Sequence, residues 1–322
     1  MLDPPYGIIW KYLSSGRVVP FLGAGCSVGA ASCAPGSAAS PLLPSGHELA
    51  LALAEESSFP PAELTGRPDL AKISSFYQES DTRNGLLQRL REVFAPEYPP
   101  RPVHQFLAAI DVPLLIVTTN YDNLLEQAFR DKPYHLVVHP TDNEALKGSV
   151  LWWKPGATRP EPYPPKSLPL SLTDTTIIYK MHGGISPQRE WAGCVITEED
   201  YVDFLSRMSA QSAIPARFLL HFRACRFLFL GYGLGDWNLR VMLRNLRTAG
   251  TEPDDGSGDA RPLPDEEARS WAIQHRPSEL EKILWRKRQV NIHDMDIDHF
   301  VEGMAAFRRR SLRPAEPPPS GS

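Results

Sequence analysis

Cysteine is scarce in this chain. Cys26, Cys33, Cys194 and Cys225 are the four in 322 residues, and no two are spaced as Cys-x-x-Cys. That spacing speaks against a structural zinc ribbon, and few scattered thiols suit a reducing cytoplasm. No apolar run is long enough to cross a bilayer. The stretch 1–12 has no basic region followed by an apolar core, so no secretory signal is expected. Neither sign of charge dominates: 34 basic against 38 acidic residues leave a net charge of -4. Such a balance gives no global attraction to nucleic acid or an anionic membrane. The expectation is a soluble cytoplasmic protein without direct nucleic-acid or membrane binding.

What is present is ordinary globular composition, 42% hydrophobic and 22% charged, with length for one large domain or two small ones. Proline is abundant and clusters at 96–102, 155–169, 253–264 and 314–319. Residues 311–322 therefore read as a disordered Pro-rich tail. Buried-strand patterns fall at 18–22, 113–118, 134–139, 175–181, 226–230 and 289–293. Helical spacing of apolar residues lies between them, at 198–208, 216–223, 237–247, 279–287 and 298–308 among others. Ser45 and Glu48 have the spacing of a capping box, which starts a helix through Glu56. The block of about 45–110 is helical throughout and too long for a simple crossover. The expected class is α/β: a Rossmann-like, mostly parallel sheet with helices on both faces and a helical insertion. It forms one domain spanning 1–310. Residues 140–172, with Trp152 and Trp153 inside, read as a Pro-rich loop.

In such sheets ligands bind at the carboxyl ends of strands, and the chemistry-bearing residues collect there. The first strand runs into Gly23-Ala24-Gly25-Cys26-Ser27. Its glycines allow a sharp turn and close approach of a ligand, and Ser27 is placed to cap a following helix. This is a candidate seat for a pyrophosphate, the alternative being a tight turn with no ligand. The second strand ends in Thr118-Thr119-Asn120-Tyr121-Asp122. Asn120 is suited to bind a ribose hydroxyl or position water; Asp122 either assists or caps the next helix. The fourth ends at His182-Gly183-Gly184, where a histidine titrating near neutrality would serve as general base. The fifth ends in Gly231-Tyr232-Gly233-Leu234-Gly235-Asp236, a second turn for the adenosine side of a dinucleotide, with Asp236 on a ribose or capping the helix.

Four of these segments, Gly23–Ser27, Thr118–Asp122, Lys180–Gly183 and Gly231–Gly233, occur in the order and approximate spacing of the sirtuin family. The chain resembles that family over about residues 15–305. It departs from deacylase sirtuins by lacking their two Cys-x-x-Cys pairs and their Gly-Ile-Pro-x-Phe-Arg stretch. Thr119 stands for Gln, and Gly233 for Ser. It resembles instead the prokaryotic sirtuin-like branch that hydrolyses NAD in antiphage defence. Segments Val195–Tyr201 and Gly231–Asn238 look like that branch.

The resemblance implies an NAD+ glycohydrolase that takes NAD as substrate and needs no metal. Asn120 and His182 would be catalytic. Gly23, Ala24, Gly25, Ser27, Thr118, Asp122, Gly231, Tyr232, Gly233 and Asp236 would hold the dinucleotide. It also implies a homo-oligomer and a separate sensor or activator, of HerA-type ATPase or short Argonaute kind. The alternatives are an NAD-dependent protein deacylase and a nucleotide-binding regulatory module without turnover.

Overall fold

The computed structural model describes residues 3–29, 42–64, 66, 68–94, 96–139, 146, 148–185, 193–209, 213–233 and 270–311. The first half comprises α1 (Tyr6–Leu13), β1 (Val18–Leu22), α2 (Gly46–Glu56), α3 (Leu70–Ser80), α4 (Arg83–Phe94), α5 (Pro102–Ala108), β2 (Leu115–Thr118), α6 (Leu124–Ala128) and β3 (Tyr134–Val138). Then follow β4 (Val150–Trp153), β5 (Glu161–Tyr163), β6 (Thr176–Lys180), α7 (Glu198–Ser209), α8 (Ala216–Ala224), β7 (Arg226–Leu230), β8 (Ser270–Gln274), α9 (Glu279–Arg286), β9 (Val290–Asp294) and α10 (Ile297–Ser311).

The described strands form one sheet in the order β5-β4-β3-β6-β2-β1-β7-β8-β9. From β3 to β9 every pairing is parallel. Every residue of β1, β2 and β6 is buried. Strands covered on both faces read as continuous apolar runs, which is why these were legible. Alternate residues feed the two faces. Val19, Phe21, Val117, Tyr179 and Phe229 face α7, α8 and Trp285 of α9. Val18, Leu22, Ile116, Ile178 and Leu230 face α1, α5, α6 and α10. The architecture is an α/β Rossmann-like sheet with helices on both faces.

Helices α2 to α4 build a core of their own, from Leu49, Leu53, Ile73, Leu86 and Leu90 with Ile185, Cys194 and Ile196. Helix α5 instead packs Val103 and Leu107 onto the sheet. The Ser45 capping box is present: Glu48 N–H donates to Ser45 Oγ at 3.2 Å, and Ser45 N–H to Glu48 Oε2 at 2.7 Å. Thr197 Oγ1 caps α7 by accepting from Asp200 N–H at 3.2 Å.

Two strands correct the reading of 140–172 as loop. β4 and β5 extend the sheet antiparallel beyond β3. Trp152 and Trp153 are both buried and face opposite sides of the sheet, one in each core layer. Pro162 lies on the edge strand β5, where a missing N–H costs no ladder bond. β8 also escaped the sequence reading. The expected helix at 237–247 and residues 312–322 of the expected tail lie outside the described residues; Ser311 ends α10.

Candidate active site

β1 lies between β2 and β7, so the chain reverses its direction across the sheet between β1 and β7. A crevice forms outside the carboxyl ends at such a point. The ends of β6, β2, β1 and β7, four consecutive strands, carry His182, Asn120, the Gly23 turn and Gly231 side by side.

The β1 turn is shaped by β7. Gly23 N–H donates to Leu230 O and Gly25 N–H to Gly231 O, each at 2.9 Å. A Cβ on Gly25 would stand 2.9 Å from Gly231 Cα, and one on Gly23 would stand 2.8 Å from Gly231 O. Gly231 has φ +69°, and a Cβ there would strike the Gly25–Cys26 peptide. Two glycine turns are thus packed backbone on backbone. Gly231→Ala should lower the urea midpoint by the equivalent of roughly 2 kcal/mol or more; an unchanged midpoint would refute this packing.

Ala24–Cys26 forms a 3-10 turn, which corrects the expectation that Ser27 opens a helix. Ser27 is buried behind that turn, and its Oγ accepts from Asn120 Nδ2 at 3.1 Å. Gly25, Cys26 and Ser27 spend their N–H groups on protein carbonyls. Ala24 and Gly25 are the exposed part of the turn.

Beside it, Thr118 Oγ1 donates to Leu22 O at 3.2 Å and accepts from Asn120 N–H at 3.0 Å. That hydroxyl ties β2 to β1. Asn120 Nδ2 also donates to Gly23 O at 3.0 Å. A carbonyl only accepts, so the nitrogen must face it and Oδ1 is left for a ligand. Asp122 Oδ1 accepts from the N–H of Leu124, the first residue of α6, at 3.1 Å. Tyr232 reaches back over the β1 turn: its OH lies 2.6 Å from Thr119 Oγ1, and its ring 5.3 Å from that of Phe21. Gly233 is exposed, and Asp236 lies outside the described residues.

His182 is 9% exposed, with its ring 5.5 Å from Tyr201 and 5.1 Å from Phe204, both edge-on. Loss of hydration pushes its pKa down to about 3, because burial penalises the charged imidazolium. The expectation of titration near neutrality is corrected: His182 is neutral at physiological pH.

Asn120 and His182 line one cavity of about 160 Å³, together with Ser27, Tyr121, Tyr201 and Phe204. Asp122 and Ala24 also border it. A wider cleft of about 1060 Å³ shares Ala24, Thr119, Tyr201 and Tyr232 with it, and continues past Gly25, Gly231 and Gly233 to Gln274. Beneath the cavity, buried Lys180 donates from Nζ to the Asp122 carbonyl and to Glu126 Oε1 at 3.2 Å. The sequence reading assigned nothing to Tyr121, Tyr201, Phe204 or Lys180. A lysine closing an apolar strand pattern was the one available signal, since a buried ammonium needs a partner.

Among the described residues no three His, Cys, Asp or Glu side chains are grouped so as to hold a metal. No described helix is long and apolar enough to cross a membrane.

A stretch is 23% identical over 159 residues to "Defense-associated sirtuin 2" of Bacillus subtilis, covering 49% of this chain and 13% of that protein. Two proteins called "NAD(+) hydrolase ThsA" also match. That of Acinetobacter baumannii is 25% identical over 186 residues, covering 58% of this chain and 33% of its own. That of Enterococcus faecium is 28% identical over 186 residues, covering 56% and 32%. The match therefore spans a third or less of each relative's length. The family model described as "SIR2-like domain" matches residues 114–293, more than half of the chain and inclusive of Asn120, His182 and Gly231, and the chain belongs to the SIR2-like family.

Proposed function

We propose that this protein is an NAD+ glycohydrolase, releasing nicotinamide and ADP-ribose, and the effector of a prokaryotic antiphage defence system. One observation carries the reading: Asn120 and His182, from different strands, line one small cavity whose wall includes the β1 turn. The printed names of the relatives, a defence-associated sirtuin and two NAD+ hydrolases, support it.

In this proposal the pyrophosphate lies over Gly23–Ser27, in the wider cleft, and the nicotinamide ribose reaches between Asn120 and His182. The bond from C1′ to the ring nitrogen breaks, and its electron pair leaves with neutral nicotinamide. C1′ gains oxocarbenium character. Water adds to C1′ and its proton passes to solvent. Asn120 Oδ1 accepts from that water and fixes its approach. Neutral His182 accepts from a ribose hydroxyl, and it adds no positive charge to oppose the one developing at C1′. The rings of Phe94, Tyr121, Tyr201 and Phe204 suit a cationic nicotinamide. With His182 titrating near 3, kcat/KM should be flat from pH 8 down to about 5.5. A fall with a midpoint near 6.5 would return the histidine to a general-base role.

The test is nicotinamide release from NAD+ by the purified protein without any acylated peptide. Release supports the hydrolase. Release only with an acyl-lysine peptide assigns a deacylase, release only on adding the activator assigns an autoinhibited hydrolase, and NAD+ binding without release under any of these conditions assigns a regulatory module. A homo-oligomer and a separate sensor, of HerA-type ATPase or short Argonaute kind, belong to the same proposal. A monomer with full activity alone would remove that part.

A further inference from the structure

We propose that Lys180, held by Glu126, is a positioning residue that sets the separation of Asn120 and His182. The inference rests on the catalytic pair proposed above.

Lys180 ends β6, and its side chain runs beneath the cavity rather than into solvent. It is 3% exposed, and Glu126 is 8% exposed. Nζ donates to the carbonyl of Asp122 and to Glu126 Oε1. Glu126 Oε2 has no hydrogen-bond partner. A buried ion pair with an unsatisfied oxygen is a poor source of stability, because desolvation offsets most of the attraction. The location of the pair suggests what it does instead. Asp122 stands two residues after Asn120, and Lys180 two residues before His182. Lys180 therefore joins the 119–123 turn of β2 to the 181–185 turn of β6 from below. From above, the same turns meet through Ile185 N–H and Tyr121 O at 2.9 Å. The aliphatic stem also supports the His182 turn: a Cβ on Gly184 would stand 2.7 Å from Lys180 Cε. Neither Lys180 nor Glu126 lines the cavity, so neither touches substrate.

The experiment compares wild type with Lys180→Met/Glu126→Leu and with Gly184→Ala. Replacing the whole pair by apolar side chains keeps the fold, since no lone charge is left buried. The thermal midpoint should stay at or above that of wild type. The kcat for nicotinamide release should fall about tenfold or more with KM within about twofold, as displacement of a catalytic pair by about 1 Å requires. A crystal structure of the double variant should show the two turns moved apart by a similar distance. Gly184→Ala, which pushes the lysine stem without removing its charge, should give the same loss of kcat. Wild-type kcat in either variant, or superimposable turns, overturns the proposal. If the wild type releases no nicotinamide with or without its activator, the hydrolase reading fails, while the crystal comparison still decides whether Lys180 sets the turns.

Discussion

In the proposed hydrolase, nicotinamide release should fall by about 10²–10⁴-fold in His182→Ala, and Asn120→Ala should lose a similar factor. The two losses arise differently. On the proposed mechanism, His182→Ala removes the acceptor for a ribose hydroxyl and opens space between Tyr201 and Phe204 for water. On the same mechanism, Asn120→Ala removes the group that orients the attacking water. It also frees Gly23 O and Ser27 Oγ, which Nδ2 now holds, so the β1 turn loosens with it. NAD+ binding should therefore weaken in Asn120→Ala and persist in His182→Ala. The double variant should lose much less than the product of the two factors, because groups acting as a unit are not additive. Single-turnover nicotinamide release, with calorimetric titration of ADP-ribose, measures both quantities. A His182→Ala protein that turns over within threefold of wild type would remove the histidine from the mechanism.

Acid should destabilise the protein steeply. His104, His139 and His182 are all buried, and burial pushes their pKa values down to about 4, 3 and 3. Unfolded histidine titrates near 6.5. Between about pH 6.5 and 4 the unfolded chain therefore binds more protons than the folded one. Stability then rises with pH across that window, is fully present above 6.5, and is lost as pH falls toward the folded values. Three such groups give a slope of at most roughly 4 kcal/mol per pH unit, at about 1.4 kcal/mol each. A domain with ordinary stability of about 5–15 kcal/mol cannot absorb that for long. Urea midpoints at pH 7.5, 6.5 and 5.5 read the effect directly. The contributions are separable. His104 Nδ1 accepts from Arg101 N–H at 3.1 Å, so its replacement costs a hydrogen bond. His139 Nδ1 has no partner, so His139→Leu should flatten the slope with no loss at pH 7.5. Equal midpoints at pH 7.5 and 5.5 would show that these rings are hydrated.

Much of this site was legible in the sequence for a physical reason. β1, β2, β6 and β7 are covered on both faces, so their apolar runs stand out, and each ends abruptly in Gly or a polar cluster. The sirtuin resemblance of those ends paired Asn120 with His182, and both line one cavity. β4 was hidden because its run is short and proline-rich sequence surrounds it. β8 was hidden because it follows a long polar stretch and carries Ser270 and Gln274 at its ends. The proton affinity of His182 was illegible for another reason. It depends on Tyr201 and Phe204, which approach the ring only through the packing of α7. Lys180 was visible as a letter and silent as a function, since its partner Glu126 lies on α6, behind β2. Local sequence reports what one strand buries; it does not report what a neighbouring strand brings.

The register of β1 bears on when the protein becomes competent during synthesis. Val18 pairs with Arg226 and Leu22 with Leu230, so the central strand has one open edge until β7 emerges. At a translation rate of about 5–20 residues per second, that wait is on the order of tens of seconds. An unpaired central strand of five apolar residues is an invitation to aggregation or chaperone capture over that interval. The same delay has a second side. The Gly23–Ser27 turn takes its shape from Gly231, so a ribosome-bound chain ending before β7 carries Asn120 and His182 without a formed cradle beside them. The non-local pairing that slows folding also postpones activity until nearly all of the sheet has been made.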